Sequence, residues 1–137
     1  MHQLNNYINQ TFSKVSFIAP WFLRVTLGLS FFFFGYGKFP LPSELLISFG
    51  FSNLIATLVP LVEVIGGLGI IFSGFINGLW GQLLTRFFGL ILSVLMILIL
   101  ANAHSDWLIT ADLFKNIQIY LLSVSMYFVL NPTHKLY

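Results

Sequence analysis

The sequence predicts an all-α integral membrane protein, a four-helix bundle preceded by either a short interfacial helix or a disordered tail. Three observations predict it. The 137-residue chain is 58% hydrophobic and 7% charged, with a mean hydropathy of +0.92. Soluble domains carry about 25% charged residues, so this chain lacks the polar surface to cover itself in water. Its apolar residues fall into four runs, each roughly long enough to cross a hydrocarbon layer of about 30 Å. Finally, Arg24, Glu63 and Arg86 lie inside such runs. A lone charge there costs at least about 2.5–3.5 kcal/mol, so these residues are expected to face the protein interior and find partners.

Residues 1–16 are polar, but Leu4, Tyr7, Ile8, Phe12 and Val15 recur at helical spacing. That pattern suits a helix lying in the membrane interface; a disordered tail is the other reading. The stretch is too polar for a signal-peptide core, so the first apolar run is expected to stay in the mature protein. The first span covers residues 17–36, with Pro20 near its start, where a missing N–H is harmless, and Trp21 at interfacial depth. Gly35, Gly37, Pro40 and Pro42 break it. Residues 43–49 suit one or two helical turns, capped by Ser43 and stopped by Gly50. The second span covers 53–72 and contains Pro60. Residues 73–77 form a tight connection, which makes the second and third spans antiparallel neighbours. The third span covers 78–101, a polar loop with His104, Asp106, Trp107 and Asp112 follows, and the fourth span covers 113–130. The domain thus runs over 17–131, leaving 132–137 as a tail and no room for a soluble catalytic domain.

Each span carries one polar or small-residue stripe at helical spacing. The stripes are Arg24, Gly28, Phe31, Gly35, Lys38 in the first and Pro60, Glu63, Gly67, Gly74 in the second. Gln82, Arg86, Gly89, Ser93, His104 mark the third, and Asn116, Tyr120, Ser123, Tyr127 the fourth. Small residues let helix backbones approach and polar ones bond across, so these faces are expected to meet at the bundle axis. Counting helical rise from the span ends puts Glu63 and Arg86 at similar depth. Glu63 is therefore expected to pair with Arg86, Arg24 or both. Two arginines against one glutamate leave a positive excess that could hold an anion or polarise a quinone carbonyl, with Gly66 and Gly67 leaving room beside Glu63. The candidate ligand-binding residues are Arg24, Glu63, Gly67 and Arg86. His104 is a candidate proton relay, since an imidazole can both donate and accept a proton.

Other chemistries are narrowed by composition. The net charge of +2 comes from six basic and four acidic residues spread singly, without the clustered basic face of a nucleic-acid binder. The absence of cysteine excludes disulfides, thiol relays, thioether haem and cysteine-ligated iron–sulfur clusters. Three dispersed histidines give no metal-ligand spacing.

The order of these residues resembles the DoxX family of small four-helix membrane proteins. The matching elements are Arg24, Gly28 and Gly35-Tyr36-Gly37-Lys38, the Gly50-Phe51 turn, Glu63-Val64-Ile65-Gly66-Gly67 with Gly74, and the late loop after the third span. The chain departs from the family after Gly74, where Asn77 and Gly78 stand in place of a basic residue. The resemblance implies a membrane component linked to respiratory or sulfur redox chemistry. It leaves two readings. One is a redox-associated subunit binding quinone or a similar small molecule at the Arg/Glu cluster, with electrons supplied by a partner because the chain has no motif for its own flavin, haem or metal. The other is a non-catalytic structural or assembly subunit of a membrane complex. A small transporter is a distant third. The lipid bilayer and a protein partner or second copy are the expected partners, a bacterial inner membrane the expected location. Lys14 and Lys135, with Arg24 and Arg86 nearer their side, weakly favour cytoplasmic termini over the side of Lys38 and Lys115.

Overall fold

A computed structural model describes residues 2–16 and 18–132, and its regular elements are all helical. They are α1 (His2–Val15), α2 (Ile18–Tyr36), α3 (Glu44–Ser48), α4 (Asn53–Phe72), α5 (Leu79–Ala103), α6 (Asp112–Lys115) and α7 (Ile117–Leu130). Short 3₁₀ turns at Ser73–Phe75 and Ser105–Ile109 join them. The N-terminal segment is helical over His2–Val15. Phe17, His134 and Lys135 lie outside the described residues, as do the expectations placed on them.

The long helices pack in the order α2, α4, α5, α7, and α7 touches α2 to close the ring. Glycine sets the first contact. A Cβ on Gly28 would lie 2.5 Å from the Gly67 carbonyl oxygen, and one on Gly67 the same distance from the Gly28 oxygen. The antiparallel α2 and α4 therefore touch backbone to backbone, which side chains at either position would prevent. Farther along, Gly35 meets the Pro60 carbonyl and the Glu63 Cβ, while Arg24 lies level with Ile70 and Ser73. On the other side of α4, Leu92 covers Gly66 and Phe88 covers Gly69, which fixes the register with α5. Leu27, Phe31, Ile70, Leu92, Met96, Leu121 and Phe128 fill the centre.

Pro60 has a second role. It lacks an N–H, so it cannot bond the Ala56 carbonyl four residues back. The Ser43 N–H donates to that carbonyl instead, at 3.0 Å. The segment before α3 is thereby tied to α4. Ser43 precedes the first turn of α3 as expected, but its hydroxyl makes no cap bond and stays buried without a partner. Gly50, at φ 86°, takes the left-handed conformation that ends the segment.

The fourth apolar run is not one helix. At Asn116 the backbone turns extended, separating the single turn α6 from α7. Its buried face is Leu121, Ser125 and Phe128, not the expected Tyr120, Ser123, Tyr127 stripe, whose members are exposed. Tyrosine carries a polar tip that favours an outward position, and the Tyr120 hydroxyl donates to the Phe114 carbonyl at 2.9 Å.

Three helical segments, Ile18–Tyr36, Asn53–Phe75 and Leu79–Ala103, are long and apolar enough to cross a membrane; α7 is apolar but shorter. Large apolar side chains such as Phe22, Phe33, Ile65, Phe72, Trp80 and Leu98 cover the outward faces.

Candidate ligand site

Arg24, Glu63 and Arg86 stand apart from one another rather than in one cluster. Arg24 is 1% exposed and lies toward the end of the molecule where α4 meets α5. Its Nη1 donates to the Ile70 carbonyl at 2.7 Å and to Ser73 Oγ at 2.9 Å, and lies 3.1 Å from Thr85 Oγ1. Its Cζ sits 4.8 Å from the Phe128 ring centroid. Gly74 makes room for it, since a Cβ there would come within 2.7 Å of the arginine Cδ. Neutral oxygens serve Nη1 and an aromatic face lies over the buried guanidinium, while its Nε is buried without a hydrogen-bond partner. Thr85, one residue before Arg86, was not on the expected stripe, yet it is the buried residue of α5 that serves this knot.

Glu63 pairs with neither arginine. Both its carboxylate oxygens accept from Lys38 Nζ, in a bridge whose side chains are 1% and 14% exposed. Register explains the correction. Arg24 is level with Ile70, seven residues beyond Glu63, roughly 10 Å along the helix. Arg86 lies two residues before Phe88, the partner of Gly69, which again places it roughly 12 Å from the level of Glu63. It is also exposed, on the outer face of α5 beside Leu83, Phe87 and Leu90. Lys38 stands just past the end of α2, where the chain tightens through Lys38 N–H to the Gly35 carbonyl at 3.1 Å. From there its side chain reaches Glu63.

Gly67 is also reassigned. The room expected beside Glu63 at Gly66 and Gly67 is filled by Leu92 and by the α2 backbone. Open space lies toward the other end of the molecule. A cavity of about 630 Å³ is bounded by the last turns of α2 and α5, the first half of α4, α3 and the start of α7. Its wall is apolar except for Lys38, Glu63, Asn102, His104 and Gln118.

Asn102 Nδ2 donates to the Leu98 carbonyl at 2.8 Å. The His104 ring stacks on Trp107 with centroids 3.7 Å apart and planes 8° from parallel, and meets Phe49 edge-on. Gln118 Oε1 is buried without a hydrogen-bond partner. Of the expected site residues, the cavity brings together Glu63 and His104, leaves out Arg24, Gly67 and Arg86, and adds Lys38 and Gln118.

Lys38 had a signal, its place on the stripe of Arg24 and Gly35. Gln118 had none, because a lone glutamine in an apolar run is as readily a surface residue. Among the described residues, no group of three His, Asp or Glu is arranged to hold a metal ion. The arrangement offers a mostly greasy volume with a fixed ion pair on its wall, the composition of a small-molecule pocket. No protein-family model, curated protein or solved structure matches this chain.

Proposed function

We propose that this chain is a membrane-spanning helical protein that binds an apolar small molecule with a polar end, of the quinone class, in the cavity walled by Lys38 and Glu63. The observation that carries the reading is a buried ion pair opening on an otherwise apolar space of about 630 Å³. An ion pair in such a setting is not needed for packing alone, since well-packed apolar residues of similar volume often stabilise as much. Several lining side chains, among them Phe34, Leu58 and Leu98, are also exposed on the outward faces, which suits entry from the hydrocarbon of a bilayer. Lys38 would meet a ligand oxygen, Glu63 would hold Lys38 in place, and His104 would exchange protons at the polar end. The DoxX-like order of residues supports a redox-associated subunit working with a partner protein.

The test is equilibrium binding of a decyl-substituted benzoquinone to the full chain in detergent. Wild type is expected to bind. Ile99→Trp, which fills the cavity from its wall, is expected to abolish binding with helical content unchanged. Absence of binding by wild type, or unchanged binding by the variant, contradicts the reading.

A structural or assembly subunit is the second reading. Exposed Arg86 favours it, because an isolated cation on an apolar face suits an acidic group of a partner protein or a lipid phosphate.

A further inference from the structure

We infer that Lys38 is a covalent attachment site for apolar aldehydes, held as a protonated imine paired with Glu63; this rests on the cavity-binding reading above. Among the described residues, Lys38 is the one amine on the cavity wall. A lysine on an apolar wall is a setting in which imines form with carbonyl compounds. Lys38 Nζ donates to both oxygens of Glu63, so the base that frees its lone pair is already in contact. The chain offers a comparison within itself. Lys115 Nζ lies 2.9 Å from Asp112 Oδ1, but those side chains are 70% and 51% exposed, and Lys115 is not on the cavity wall. The two pairs share their chemistry and differ in their surroundings.

In the first step a proton passes from Nζ to a Glu63 oxygen, and the freed lone pair attacks the aldehyde carbon. The carbonyl π pair moves to its oxygen, which takes a proton from the nitrogen and leaves a carbinolamine. In the second step the Glu63 carboxyl returns its proton to that hydroxyl, the C–O bond breaks, and the nitrogen lone pair closes the C=N bond. One aldehyde and one ammonium thus give one protonated imine and one water, without oxidant or reductant. Glu63 acts only through Nζ and the atoms bonded next to it, so its own burial is no obstacle. The nitrogen also stays positive, and Glu63 keeps its partner. Acylation of Lys38 by an activated ester removes that charge and strands a carboxylate that is 1% exposed, which a buried pair tolerates poorly. The site therefore suits aldehydes. Its apolar wall receives the alkyl chain and keeps bulk water from the imine carbon, which slows hydrolysis.

The test treats the full chain in detergent with limiting decanal or propanal, traps imines with cyanoborohydride, and maps alkylated lysines by peptide mass spectrometry. Decanal is expected to modify Lys38 at least about tenfold over Lys115, since burying only about two methylenes is worth that factor. Propanal, too short to gain from the wall, should favour the exposed Lys115. Ile99→Trp should abolish the decanal preference with helical content unchanged, which separates the cavity from partitioning into detergent. Three results overturn this inference: decanal modifying Lys115 as much as Lys38, a Lys38 preference as large with propanal, or one that survives Ile99→Trp. Binding of decyl-benzoquinone, measured on the same sample, tells the failures apart. If it persists, the cavity reading stands; if it is absent too, both fall.

Discussion

Glu63 takes its counter-charge from a lysine that lies beyond the end of α2, and the two partners differ in exposure, 1% against 14%. That asymmetry predicts unequal responses to mutation. Lys38→Met strands the more deeply buried carboxylate and should destabilise by about 3–5 kcal/mol, the usual cost of breaking a buried pair. Glu63→Gln leaves an ammonium that can swing outward, so it should cost less, and Lys38→Met/Glu63→Met should be more stable than Lys38→Met alone. Denaturation in detergent, followed by circular dichroism, measures all three; equal losses would contradict the assigned geometry. Arg86→Leu should change the stability of the isolated chain by no more than about 0.5 kcal/mol, as for an exposed residue without a partner. Arg24→Leu should be far more damaging. At this scale the sequence revealed which residues were unusual, and the face shared by Arg24, Gly28, Phe31 and Gly35 emerged as expected. It did not reveal who pairs with whom, because depth counted along a helix ignores both the offset between neighbours and the reach of a lysine past a helix end.

Element by element, the backbone contact of α2 with α4 makes two adjacent glycines unequal. A Cβ on Gly67 meets the Gly28 oxygen at 2.5 Å and the Phe32 nitrogen at 2.9 Å, whereas one on Gly66 meets only the Leu92 side chain. Side chains can rotate aside; backbones cannot without separating the helices. Gly67→Ala should therefore destabilise by about 1–3 kcal/mol and Gly66→Ala by distinctly less, and a thermal melt that ranks them the other way would refute the packing. Pro60→Ala restores an N–H that competes for the Ala56 carbonyl, so the Ser43 amide should exchange with solvent faster while α4 itself is preserved. Unchanged exchange at Ser43 would show that the proline has no part in anchoring α3. The bounds of α4 could be read from Ser52, Asn53 and the glycines that follow Phe72. The break at Asn116 could not, since nothing in that apolar run distinguishes a continuous helix from two short ones.

For the molecule as a whole, the acidic residues Glu44, Glu63, Asp106 and Asp112 belong to the cavity end, with Lys38 and Lys115, whereas Arg24 and Arg86 belong to the opposite end. Lysine and arginine set orientation far more than acids do, and these four basic residues balance two against two. The sequence positions of Lys14 and Lys135, which an even number of spans puts on the side of the 73–78 connection, make that end the one expected in the cytoplasm. The chain has no cysteine, so single cysteines at positions 44, 76 and 108 report cleanly. Positions 44 and 108 should label from outside and 76 only after the membrane is opened; labelling of 44 and 76 from the same side would contradict a membrane-crossing α4. The all-α architecture and the apolar spans were legible because period and composition act locally. The cavity was not, being the product of how α3, α5 and α7 close around Lys38 and Glu63. Its occupancy is tested most directly by irradiating the chain with a diazirine-bearing decyl-quinone and mapping the adducts by peptide mass spectrometry. Adducts concentrated on cavity residues such as Leu58, Met96, Ile99 and Gln118, and suppressed by excess unlabelled quinone, are the predicted result. Adducts spread evenly over the outward faces, with no competition, would contradict it.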